Sequence, residues 1–176
     1  FDENPTMNAI AKAIDCLNEW FGRLIAPLIA IITLVVVYDI AMRFFIGRPS
    51  DWAFDVTTML FGTHFMLMAA YGLRHHAHVE VDIVKQLLSR RGRALIDLLG
   101  YLLFFTPFII MFITYSWRFF ERSWSRAEST YGIVSIPVYP VKAVLVIASV
   151  LILLQAIAIV IRAINELTGQ GVEEAK

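Results

Sequence analysis

Three histidines, His75, His76 and His78, stand almost in a row, and a fourth, His64, lies inside the apolar run that precedes them. Neighbouring imidazoles can ligate zinc or copper. No cysteine and no suitably spaced acid completes a closed structural site here, and histidines beside arginines at a membrane surface are also simple interfacial groups. A haem held by two imidazoles needs them on opposite sides of the ring. All four histidines belong to one apolar run and its extension, so a di-haem site within the chain is excluded, and His64 reads as a hydrogen-bonded packing residue. The single cysteine, Cys16, cannot form an internal disulfide, which removes the thiol pair of a disulfide-generating membrane enzyme. Proton-coupled export of cations calls for a carboxylate deep in a membrane helix. Asp39, Asp55 and Asp97 all lie near the ends of apolar runs, and no pair of broken helices offers facing half-helix termini. No catalytic, substrate-binding or metal-ligating set emerges.

The remaining charged groups suit assembly better than chemistry. Asp39 and Arg43 are spaced i to i+4, on one helix face. Trp52 opens the next apolar run with Asp55 just beyond it, so Asp39, Arg43 and Asp55 are expected to meet in one ionic cluster that orients the two helices. The alternative, carboxylates facing lipid headgroups, costs little at an interface.

The elements that position these residues are legible from hydropathy. With 59% hydrophobic residues, the chain holds four apolar runs, 24–45, 52–73, 95–117 and 138–161. Each approaches the ~20 residues that cross a bilayer as a helix. A segment alone in hydrocarbon satisfies its backbone only as a helix, and these runs lack the alternation of barrel strands. The expected fold is all-α: one polytopic membrane domain, 1–176, with four transmembrane helices and amphipathic surface helices. The first run is too long for a signal-peptide core and is read as retained. Met7, Ile10, Ile14, Leu17 and Phe21 form an apolar stripe, so 6–21 is expected to be a helix lying in the membrane surface or against a partner. A second amphipathic segment is expected at 82–90, with Asp82 as its cap. Thr106-Pro107 should bend the third helix. The segment 118–140 reads as the longest loop, with Arg118, Glu121, Arg122 and Arg126 as a mixed-charge stretch.

Four crossings put both termini and the loop bearing Arg90, Arg91 and Arg93 on one side, and the positive-inside rule makes that side cytoplasmic. Those arginines, with Trp20, Trp117 and Trp124, are the candidates for contact with membrane lipids. Formal net charge is zero, and no basic-aromatic stripe points to nucleic acid.

The order of motifs from Arg43 to Asp82 resembles the DctQ-like small membrane subunit of tripartite ATP-independent periplasmic (TRAP) transporters. Arg43 ends the first span, Trp52 and Asp55 open the second, and His78-Val79-Glu80-Val81-Asp82 follows it. The four-span layout, the length and a proline-containing approach to the last span are similar as well. An aspartate stands at position 55 where the family more often has glutamate. The resemblance implies a non-catalytic scaffold in a bacterial or archaeal inner membrane. Its partners would be a large multi-span subunit, which holds the substrate and sodium sites and moves as an elevator, and a transient extracytoplasmic binding protein that delivers an organic acid. It implies no cofactor in this subunit. Asp39, Arg43, Trp52, Asp55, His78 and Asp82 become candidates for helix packing or subunit assembly. Two other classes remain: a self-sufficient homo-oligomeric transporter, and a four-helix redox membrane protein.

Overall fold

The computed structural model describes residues 5–75 and 90–167. Among the described residues six α-helices follow one another: α1 (Pro5–Ile25), α2 (Leu28–Ile46), α3 (Ala53–Arg74), α4 (Arg90–Leu99), α5 (Thr106–Ser125) and α6 (Tyr139–Leu167). Four helical runs among the described residues are long and apolar enough to cross a membrane, Ala9–Ile46, Ala53–Arg74, Ala94–Ser125 and Tyr139–Asn165. The chain is an all-α polytopic membrane protein.

Pro27 divides the first run. Lacking an N–H and restricting the residue before it, it ends α1 at Ile25. Ala30 N then bonds to Pro27 O at 3.0 Å to start α2. At 1.5 Å per residue the 38-residue run would reach ~57 Å if straight, well beyond a ~30 Å hydrocarbon core. The excess is α1, and its placement differs from the surface-lying helix expected over 6–21. Ala11 and Ile14 pack at Ala158, Leu154 and Ile161, whereas Phe21 and Ile25 pack at Leu67, Ala70, Ala148 and Leu151. Each residue gained along α1 is about one lost along α6 and α3, so α1 lies lengthwise and antiparallel to both. Part of the apolar stripe is left outside the bundle. Ile10 and Leu17 are 52% and 39% exposed, while Ala11, Ile14 and Asn18 are buried. Small and hydrogen-bonded residues allow close helix approach, and in lipid the bulky apolar stripe has no reason to turn inward.

A left-handed residue closes α2. Gly47, at φ 73°, turns its N–H back to Arg43 O at 3.1 Å. This is the C-terminal cap that glycine alone adopts without a Cβ penalty.

A π-helical stretch, Gly100–Phe105, joins α4 to α5 directly before Pro107. The wider turn gives the proline ring room, and the Thr106 hydroxyl donates to Tyr101 O at 2.7 Å. The helix continues to Ser125, so Arg118, Glu121, Arg122 and Trp124 stand on α5 instead of in the loop expected from residue 118. Charged residues beyond the hydrocarbon are solvated, so charge density did not mark the end of the helix.

α6 packs against α1, α3, α4 and α5. Ala148, Ala156, Ala158 and Ala163 are buried along it, with Ser149. These small side chains let four helices approach one central rod. By contrast, α2 buries only Ile32 and rests on α3.

Candidate functional site

Two polar clusters tie the helices together, one at each end of the bundle. The first joins α1 to α3 and α6. Asn18 Nδ2 donates to Gln155 Oε1 at 2.6 Å, and Gln155 Nε2 donates to Asp15 Oδ1 at 3.1 Å. Arg162 donates to the other oxygen of Asp15. From α3, Arg74 Nη1 donates to Asp15 O at 2.9 Å and also to Glu19, and His75 Nε2 reaches Glu19 Oε2 at 3.1 Å. Arg23 closes the set with a 3.0 Å bond to Glu19. Gln155 is fully buried, yet its amide is bonded on both sides, the condition under which a buried polar group is tolerated. Among the described residues, Asn18 Oδ1 has no partner.

Beside this cluster, Tyr71 lies against Gly22. A Cβ there would stand 2.2 Å from the Tyr71 ring, so the α1–α3 contact requires a residue without one. His64 Nδ1 is 3.3 Å from Ile25 O, a carbonyl released from helical bonding by the break at Pro27. His64 is thus a hydrogen-bonded packing residue. His75 is tilted on Tyr71 with ring centroids 4.3 Å apart.

At the opposite end, Asp39 Oδ2 receives Arg43 Nε at 3.0 Å, as the i to i+4 spacing predicts. Asp39 Oδ1 accepts from Ser50 N at 2.8 Å, which pins the α2–α3 turn. Trp52 stacks on Tyr38 at 5.6 Å between centroids. Asp55 does not join this cluster, a correction to the expected triad. Its Oδ2 is buried without a hydrogen-bond partner among the described residues and lies 2.6 Å from where a Cβ of Gly132 would be. The 126–138 loop folds back over α3 and seats Gly132 on the carboxylate. Spacing in α2 and α3 could not reveal that, because the loop is distant in sequence.

The loop itself is held firmly. Val138 N bonds to Glu128 O at 2.9 Å, Thr130 N to Ile136 O at 2.8 Å, and Ser129 bridges Pro137. Lys142 bonds to Glu128 while its ammonium sits 4.0 Å from the centre of the Phe119 ring. The Lys142 bond holds the Glu128 carboxyl below its ordinary value.

The lipid-interface candidates Trp20, Trp117 and Trp124 are exposed, and Trp124 meets Tyr139 edge-on. Arg90, Arg91 and Arg93 fall in the first turns of α4. His76, His78 and Asp82, with residues 82–89 of the amphipathic segment expected over 82–90, lie outside the described residues. Among the described residues no group of three His, Cys, Asp or Glu could hold a metal ion. Asp15, Asn18, Glu19, Arg74 and Arg162 were not singled out from sequence. The one signal was Gln155, the only strongly polar residue deep in the last apolar run. Neither cluster places a nucleophile beside a base; both are built to hold helices in register.

Comparison with known proteins agrees with this architecture. The family model for the DctQ component of tripartite ATP-independent periplasmic transporters matches residues 32–166. A curated relative, the C4-dicarboxylate TRAP transporter small permease protein DctQ of Vibrio cholerae serotype O1, is 24% identical over 131 residues. That alignment covers 72% of this chain and 55% of the relative, so the chain spans about half the relative's length. No solved structure matches.

Proposed function

Because the chain belongs to the DctQ component family of tripartite ATP-independent periplasmic transporters, we propose that it is a stationary scaffold for a large multi-span subunit. In this reading the large subunit carries the substrate and sodium sites and moves as an elevator. An extracytoplasmic binding protein delivers the substrate, an organic acid. The Vibrio cholerae relative is described as a C4-dicarboxylate transporter subunit, which supports a dicarboxylate as the first substrate to try. The chain sits in the cytoplasmic membrane with both termini inside, it contributes no catalytic group, and sodium is bound by the partner.

One observation carries the scaffold reading. Polar groups inside the bundle join one helix to another: Asn18 and Asp15 of α1 both bond to Gln155 of α6, and His64 of α3 faces the Ile25 carbonyl of α1. Interlocked helices with bonded interiors suit a wall that stays fixed while a neighbour moves. Asp39 and Trp52 brace the α2–α3 turn, whereas the Arg43 side chain is 60% exposed. A half-exposed ion pair adds little to stability, which leaves the guanidinium available to the large subunit.

Affinity purification of the tagged chain from native membranes tests the assignment. Recovery together with a large multi-span protein is expected; recovery of the chain without one counts against it. Arg43→Glu is expected to weaken that co-purification while the purified chain unfolds at an unchanged temperature. Full assembly and uptake in the variant would remove Arg43 from the interface.

A further inference from the structure

Two arginines on α5, Arg118 and Arg122, stand one helical turn apart, and among the described residues neither makes an ion pair. Like charges at that spacing destabilise a helix unless an anion lies between them. Of the acids close in sequence, Glu128 is engaged by Lys142, and Glu121, on the same helix, makes no ion pair with either arginine among the described residues. Both guanidinium groups border a cleft of about 370 Å³ between α5 and α6, whose other walls are Phe112, Tyr115, Ser116, Phe119 and Leu145. Arg118 lies 5.9 Å from the centre of the Tyr115 ring, so an aromatic wall begins directly beneath the charge. From Arg122 to Phe112 the cleft follows α5 for ~15 Å. The exposed Trp117 and Trp124 on the same stretch mark the level of the membrane interface.

A cationic mouth at headgroup level and an aromatic wall descending from it suit a molecule with an anion at one end and hydrocarbon at the other. We propose that this cleft binds one anionic glycerophospholipid. Its phosphate sits between Arg118 and Arg122, where guanidinium forks give paired charge-assisted hydrogen bonds, and an acyl chain lies along Phe112, Tyr115, Phe119 and Leu145. A free phosphate ion would use the arginines and leave the apolar walls uncovered. The site is independent of the scaffold reading above.

Native mass spectrometry of the full chain released from detergent reads the bound lipid. With phosphatidylglycerol and phosphatidylcholine offered equally, one retained phosphatidylglycerol per chain is expected. The double variant R118Q/R122Q should lower that retention about tenfold, the loss of one strong charge-assisted contact. R126Q, outside the cleft, should leave it unchanged. L145W fills the cleft without touching charge and should lower retention as well, which keeps the test open if the double variant does not fold. Equal retention by folded R118Q/R122Q or by L145W overturns the proposal. Competition by glycerol phosphate as effective as that by phosphatidylglycerol overturns it too, because the arginines would then bind a free anion.

Discussion

Asp15 collects donors from two helices at once, Gln155 and Arg162 of α6 at its carboxylate and Arg74 of α3 at its backbone oxygen. Replacing Gln155 by Leu keeps the volume but removes the hydrogen-bond partner of buried Asn18 Nδ2 and the Gln155 bond to Asp15 Oδ1, which keeps only Arg74 Nε at 4.0 Å. A loss of about 1–3 kcal/mol is expected, the cost of stranding a buried polar group. Thermal unfolding of the purified chain measures it, and an unchanged transition would show that the amide is dispensable. Gly22→Ala puts a methyl into the Tyr71 ring and should cost about 1–3 kcal/mol, as overpacking does. At this scale the sequence was only partly readable. The Asp39–Arg43 pair follows from i to i+4 spacing, and Gln155 is a strongly polar residue deep in an apolar run. Its partners were not legible, because Asn18 and Asp15 lie 137 and 140 residues away. Asp55 was read toward Arg43 on local spacing, whereas the structure gives it to Gly132 of a loop that no periodicity places.

The helices themselves follow from hydropathy and proline, but their ends and faces do not. Pro27 and Pro107 mark where α1 stops and where the π-helical stretch must widen. The end of α5 was misread because Arg118, Glu121 and Arg122 look like a loop yet are solvated on a helix that outruns the hydrocarbon. The face by which α1 packs on α3 and α6, with Ala11, Ile14 and Asn18, was not read, because the apolar stripe points to lipid or a partner and says nothing of the small and polar residues beside it. Two glycines test whether helix termini are understood. Gly47 and Gly62 both have open space where a Cβ would go, but Gly47 is at φ 73° and Gly62 is inside α3. Gly47→Ala should destabilise by roughly 1 kcal/mol through backbone strain alone. Gly62→Ala should be neutral or stabilise by up to about 1 kcal/mol. Unfolding temperatures shifting the same way in both would contradict this. The 126–138 loop makes a pH prediction. Glu128 has a carboxyl held below its ordinary value of 4.5 in the fold, so at acid pH the unfolded chain binds the proton more readily. The contribution of the Lys142 bond is therefore complete above pH 4.5 and fades as pH falls through the lower folded value. The Trp124 and Tyr139 fluorescence beside the loop should change in that acid range, and Glu128→Gln should lack the change.

Over the whole molecule, α6 is a central rod with α1, α3, α4 and α5 around it, while α2 rests at the edge on α3. Such an arrangement leaves wide apolar faces for lipid and for a larger neighbour, and it uses its interior polarity on cohesion. The family was legible from the ordered motifs around Arg43, Trp52 and Asp55, and the match over 32–166 agrees. The packing that ties the helices together was not, since it rests on pairs between residues far apart in the sequence. The central claim is that this chain supports transport without performing it. Reconstitution into liposomes with and without the large subunit, with binding protein and a panel of organic acids, measures that directly. Sodium-driven, binding-protein-dependent uptake that needs both membrane chains is the predicted result. Uptake by this chain alone, or undiminished uptake by the large subunit in its absence, would contradict the account.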